Sequence, residues 1–282
     1  MATIEFMPTR LTAQEIEELR RAVACLEGTS FAQRLTEAVG RPVGMVSRTM
    51  PQPARRLIAH ASETALRGAL RLALRTLDLN AQARPANRAH KLAAAASGAL
   101  GGALGLAALP IELPISTTIL LRSIAEIARQ EGEDLNAPDA AFACIEVFAL
   151  GGQAEEAALE SGYFAIRAAL AKSVSDSARF VATEGVSASS APVIARLISQ
   201  IAARFGVVVS EKLAAQAAPI LGAIGGAAVN AAFADHFQTL ARGHFIVRRL
   251  ERRHGPSQVA FEYQRLRGEW TRERAERRRA AS

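Results

Sequence analysis

Aromatic residues make up only 5% of this 282-residue chain, with one Trp and two Tyr. Carbohydrate-binding and base-stacking surfaces are built from exposed rings, so both lack their usual platform here. Cysteine is scarcer still. Cys25 and Cys144 cannot form a disulfide framework or a Cys-rich zinc site, and they are read as reduced thiols of a cytoplasmic protein. No G-x-S-x-G elbow, S-x-x-K or H-E-x-x-H occurs, and neither phosphate-cradling glycine loop is present. Neither cysteine stands beside a histidine, which argues against a thiol enzyme. Residues 1–21 hold no apolar stretch behind a basic start, and no lipidation motif is found, so no export signal is expected.

What is present is helical in character. Hydrophobic residues reach 50% and charged residues 22%, which excludes a disordered chain, and the apolar share is dominated by Ala, Leu and Val. The net charge of +7 is unevenly placed: +5 over residues 1–90, −5 over 91–238 and +7 over 239–282. Basic ends around a charge-poor middle suit an anionic membrane surface, where each nearby Lys or Arg contributes about 1 kcal/mol. Arg265, Arg267, Arg272, Arg274, Arg277, Arg278 and Arg279, with Trp270 among them, form the candidate anionic-surface element. The plainer alternative is a set of solvated Arg-rich helix faces. Nucleic acid is not an expected partner, because charge is the only mark of it.

Helix signals recur along the chain. Thr12 and Glu15 form a capping box for a helix to about Glu27. Ser30 opens a second, short helix that ends at Gly40, and a long one fits residues 53–77. Further helices are expected over 116–130, stopped by Gly132, and from Asn136 and Pro138 to Leu150, closed by Gly151-Gly152. Another fits 154–172, followed by a Ser-rich loop or linker over 173–190. The last third reads as helices over 191–205, 211–254 with Pro219 inside, and 257–279 after Gly255-Pro256. The only strand-like run, Val207-Val208-Val209, is too short to count. The expected fold is all-α, a single large helical domain over 1–282, with its core at about 10–266 and a basic tail at 267–282.

Two glycine-rich segments carry no charge. Residues 92–109 contain eight Ala and four Gly, and as a helix would reach ~27 Å, near the ~30 Å of a hydrocarbon core. Gly98 and Gly102 lie four apart there. In the second run, Leu213–Ala234, Ala218, Gly222, Gly226 and Asn230 follow the same spacing, and Gly98–Gly102 is echoed by Gly222–Gly226. Glycine inside a helix costs up to ~1 kcal/mol relative to Ala, so its clustering makes sense where backbones approach closely. These are expected to be two apolar helices at the centre of the fold. They would form a packed soluble core, a hairpin able to enter a bilayer, or a permanent transmembrane pair.

The ordered set of Leu26-Glu27, Val39-Gly40-x-Pro42, Leu109-Pro110-x-Glu112-Leu113-Pro114, Gly132-Glu133-Asp134, Phe148-Ala149-Leu150-Gly151-Gly152 and Tyr163-Phe164-x-x-Arg167 resembles the EcsC family. So do Pro219-x-x-Gly222-Ala223-x-Gly225-Gly226-x-x-x-Asn230-x-x-Phe233, Asp235-His236-Phe237, His244-Phe245, Leu250-Glu251 and Tyr263. The resemblance covers roughly residues 10–266. It implies a bacterial, membrane-associated protein with no established reaction, whose relatives include one named from an operon encoding an ABC exporter. It supplies no catalytic residue.

Chemistry, if any, rests on few residues. Glu112 is the only charge between Lys91 and Arg122, set among prolines and aliphatics, so a raised pKa and an acid–base or metal-ligand role are one expectation. The other is a carboxylate at the start of the 116–130 helix, accepting backbone N–H groups. Asn230, Asp235, His236 and His244 form a second polar group, although positions 236 and 244 do not make the i, i+4 pair of a helical zinc site. The favoured reading is a non-enzymatic protein, cytoplasmic and peripheral at the inner membrane face, with no cofactor. It would serve as an accessory factor to an ABC transporter or other envelope protein, or hold a lipid-like ligand. The alternative is a hydrolase or metal-dependent enzyme built from Glu112, Asp235, His236 and His244.

Overall fold

The computed structural model describes residues 10–28, 30–39, 50–76, 108–152, 162–185, 191–216 and 222–280. Among them are nine helices and no strand: α1 (Ala13–Leu26), α2 (Phe31–Val39), α3 (Gln52–Thr76), α4 (Leu109–Gln130), α5 (Pro138–Leu150), α6 (Tyr163–Glu184), α7 (Pro192–Gln216), α8 (Gly222–His254) and α9 (Pro256–Ala280). The fold is all-α. The first glycine-rich run, with Gly98 and Gly102, lies outside the described residues except for its end.

The chain divides into two compact units, residues 29–241 and residues 1–28 with 242–282. In the larger one α7 is the common neighbour, packing against α2, α3, α5 and α6, while α3 also meets α4 and α5. Ile201, Phe205, Val208 and Val209 of α7 are fully or almost fully enclosed. The expected break between residues 205 and 211 is therefore absent. β-Branched residues cost helix only a few tenths of a kcal/mol each, whereas burying such a side chain returns about 1.5–3 kcal/mol.

Two further boundaries differ from the sequence reading. Helix α6 starts at Tyr163 and continues through the serines to Glu184, so residues 173–184 are not a loop. Its buried stripe is Tyr163, Ile166, Leu170, Ser177 and Val181, and Ser177 occupies a core position that polarity alone conceals. Helix α4 begins seven residues before Ser116, with Pro110 in its first turn and Pro114 inside. Pro110 is tolerated where N–H groups have no intrahelical partner. The Thr118 hydroxyl donates to the Pro114 carbonyl at 2.8 Å and Ser116 to that of Leu113 at 3.1 Å, which ties the turn around Pro114.

The second unit joins both ends of the chain. The capping box of α1 is complete, with Glu15 N–H donating to Thr12 Oγ1 and Thr12 N–H to Glu15 Oε2. Polar contacts tie α1 to the end of α8 and to α9: Glu15 to His254 at 3.0 Å, Glu18 to Arg249 at 2.8 Å, and Glu27 to the Tyr263 hydroxyl at 2.9 Å. A Cβ at Gly243 would lie 2.7 Å from Leu26 Cγ and 3.0 Å from the Ala22 carbonyl, so α1 and α8 touch closely there.

Closest of all is Gly152, after α5, where an added Cβ would lie 2.2 Å from the backbone oxygen of Arg204 on α7. Backbone cannot step aside cheaply. Gly152→Ala is expected to cost about 2 kcal/mol and lower the melting temperature by about 4–8 °C. Gly68→Ala, on the exposed face of α3 with nothing within 4 Å, should raise it slightly. Equal melting temperatures for the two variants would show that α5 and α7 do not meet at Gly152.

Candidate functional site

Three helices converge on one buried ion pair. Lys212 Nζ on α7 donates to Glu112 Oε1 on α4 at 2.6 Å, and their side chains are 2% and 6% exposed. Lys212 Nζ also sits 4.9 Å from the centre of the Phe233 ring on α8. Asn230, one turn earlier on α8, is buried, as is Gly226 another turn back. The expectation that Glu112 caps a helix starting at Ser116 is corrected. It lies inside the first turn of α4, where the helix dipole favours it, and it meets an ammonium rather than a row of N–H groups alone. Burial holds Lys212 below the ordinary lysine value, and Glu112 works in the opposite direction.

The pair was half visible in the sequence. Glu112 is the first charge after the first glycine-rich run, and Lys212 is the last before the second. A lone charge at each border is the available signal. Nothing local joins positions 100 residues apart.

The second polar group divides among different partners. Asp235 accepts from Arg34 on α2 at 3.3 Å, a contact the sequence reading missed. His236 is buried, with its ring 5.2 Å from that of Phe31 and 5.4 Å from that of Phe237. Burial, aided by the nearby Arg34 charge, pushes its pKa down to about 3, against a backbone hydrogen bond with Gly151 and the Asp235 charge. Phe148, Phe205, Phe233 and Phe237 continue this cluster at 5.1–6.1 Å between rings. Gly151 lies beneath it, since a Cβ there would be 2.9 Å from Phe237 and 3.2 Å from His236 Nε2. His244 belongs to the other unit, buried with its ring 4.9 Å from that of Phe245. Among the described residues, no three His, Cys, Asp or Glu side chains are grouped to hold a metal ion.

The arginines of α9 differ in their surroundings. Arg265 pairs with Glu262 and Glu269, Arg277 with Glu273, and Arg267 with Glu27, which caps the end of α1. Arg274 lies 5.1 Å from the centre of the Trp270 ring. Arg272 donates to the Gly268 carbonyl and remains exposed, as does Arg279, while the side chain of Arg278 is outside the described set. Gly222 opens α8.

Two outcomes are expected. Removing one partner of the buried pair, by Glu112→Gln or Lys212→Met, should cost about 3–5 kcal/mol, whereas Glu112→Leu with Lys212→Met should recover most of it. A loss in the double variant equal to the sum of the two single losses in urea titrations would show that the pair is not coupled. For His236 the folded pKa is depressed, so the unfolded state binds the proton more readily below the unfolded value. Stability should therefore fall by about 1.4 kcal/mol per pH unit from about pH 6.5 down towards pH 3. His236→Gln should remove that slope from urea titrations across the range; an unchanged slope would place it on other groups.

No curated protein and no solved structure matches this chain. The model of the EcsC protein family matches residues 13–250. The chain belongs to the EcsC protein family.

Proposed function

We propose that this protein is a non-enzymatic helical protein that attaches peripherally to anionic membrane, at the inner face of the cytoplasmic membrane, as an accessory to a transporter or another envelope complex. The observation that supports this reading best is α9. Over its last three turns Arg272, Arg277 and Arg279 are exposed, and at its start Phe261 is 70% exposed, so the helix combines cationic charge with an outward apolar ring. One described helix, α7, is long and apolar enough to cross a membrane, with a mean hydropathy of 1.5 in its most apolar window. Half of that window is buried inside the protein, and α7 delivers Lys212 to a buried partner, which favours a core role and peripheral attachment.

The test is co-sedimentation with phosphatidylglycerol vesicles. Arg272→Gln, Arg277→Gln and Arg279→Gln together remove three charges, and at about 1 kcal/mol each should weaken binding about a hundredfold at low salt. The difference should shrink as the Debye length falls from ~10 Å at 0.1 M to ~3 Å at 1 M salt. Equal binding by wild type and the triple variant at low salt would remove α9 from the attachment.

A further inference from the structure

The outward face of α4 reverses the usual order of a surface helix, in which polar residues face out. Pro110, Ile111 and Ile115 are exposed, Ile111 at 72% and Ile115 at 50%. Thr118 and Ile119 follow, half-buried, and the first exposed charge is Arg122. Positions 111, 115, 118 and 122 fall within about 60° of one another around a helix. One stripe is thus uncharged for three turns and cationic after them. Ile115 and Ile111 lie about 10 and 16 Å along the axis from Arg122, close to the ~15 Å of one leaflet's hydrocarbon. The single charge in these turns, Glu112, is turned away onto Lys212. Upstream, the sequence carries no charge from Leu92 to Ile111.

A protein partner and a lipid surface would both cover exposed isoleucines. A protein interface is typically centred on aromatic or arginine anchors, and this tip has neither. Its lengthwise order, apolar end first and cationic collar second, is the order of depth in a bilayer, with hydrocarbon beneath phosphates. The net charge of +7 favours an anionic surface.

We propose that the first three turns of α4 are the apolar anchor of the protein, entering an anionic bilayer tip first, with Ile111 and Ile115 below the phosphates and Arg122 among them. The proposal rests on the peripheral-membrane reading and adds a salt-resistant component to it.

The experiment uses the full chain and phosphatidylglycerol vesicles at 0.1 and 1 M salt. Wild type should keep measurable binding at high salt. Ile111→Ser with Ile115→Ser should lose about a hundredfold of it, near tenfold per isoleucine, with the melting temperature unchanged because both side chains are exposed. Ile111→Trp in a Trp270→Phe background should shift its emission to the blue on vesicles and be quenched by chain-brominated lipid. Equal binding by wild type and the serine variant at both salts would overturn the anchor while leaving attachment through α9 standing. So would tryptophan emission at position 111 that ignores bound vesicles. Wild-type binding that vanishes at 1 M salt would overturn the anchor alone, and absence of binding at both salts would overturn both readings.

Discussion

The contact between Glu112 and Lys212 lets apolar and charged sequence coexist in the larger unit. Each charge borders a run of twenty or so uncharged residues, and each is almost wholly removed from water. An isolated ammonium or carboxylate in such surroundings would carry a penalty of several kcal/mol, and the pair offsets it at 2.6 Å. The pair also fixes the rotation of α4. With Glu112 at one edge of the buried face, alongside Leu113, Ser116 and Thr117, the isoleucines at 111 and 115 must face outward. A single ion pair thus sets both the inner packing and the outer character of the same helix.

The turn after α5 is likewise used for packing. Phe148, Gly151 and Gly152 form one device: the ring enters the aromatic cluster, the first glycine leaves room for Phe237 and His236, and the second admits the α7 backbone. His236, which as a polar residue in an apolar stretch invites a catalytic reading, remains neutral through physiological pH because its surroundings are rings. Asp235 is occupied by Arg34.

Elements specified by neighbouring residues were legible in the sequence. The Thr12–Glu15 box, the Ser30 start of α2 and the Gly255-Pro256 break between α8 and α9 all appear where local rules put them. Elements decided by distant packing were not. Val207-Val208-Val209 read as non-helical until burial overrode propensity, Ser177 hid a core stripe, and Pro110 and Pro114 masked the true start of α4. Glu112 stood out in the sequence, but Lys212 did not, because no periodicity links positions 112 and 212. Exposed Ile111 and Ile115 were illegible for a further reason: hydrophobic pattern assigns every isoleucine to a core.

Hydrogen exchange on the full chain, free and bound to phosphatidylglycerol vesicles, tests most directly whether attachment is peripheral and through these faces. The account expects added protection at residues 108–119 and 261–280 and an unchanged pattern along α7, whose apolar face already packs against α2, α3, α5 and α6. Added protection throughout α7, with loss of protection in α3 and α5, would contradict it by showing that the core helix leaves its neighbours to enter the membrane.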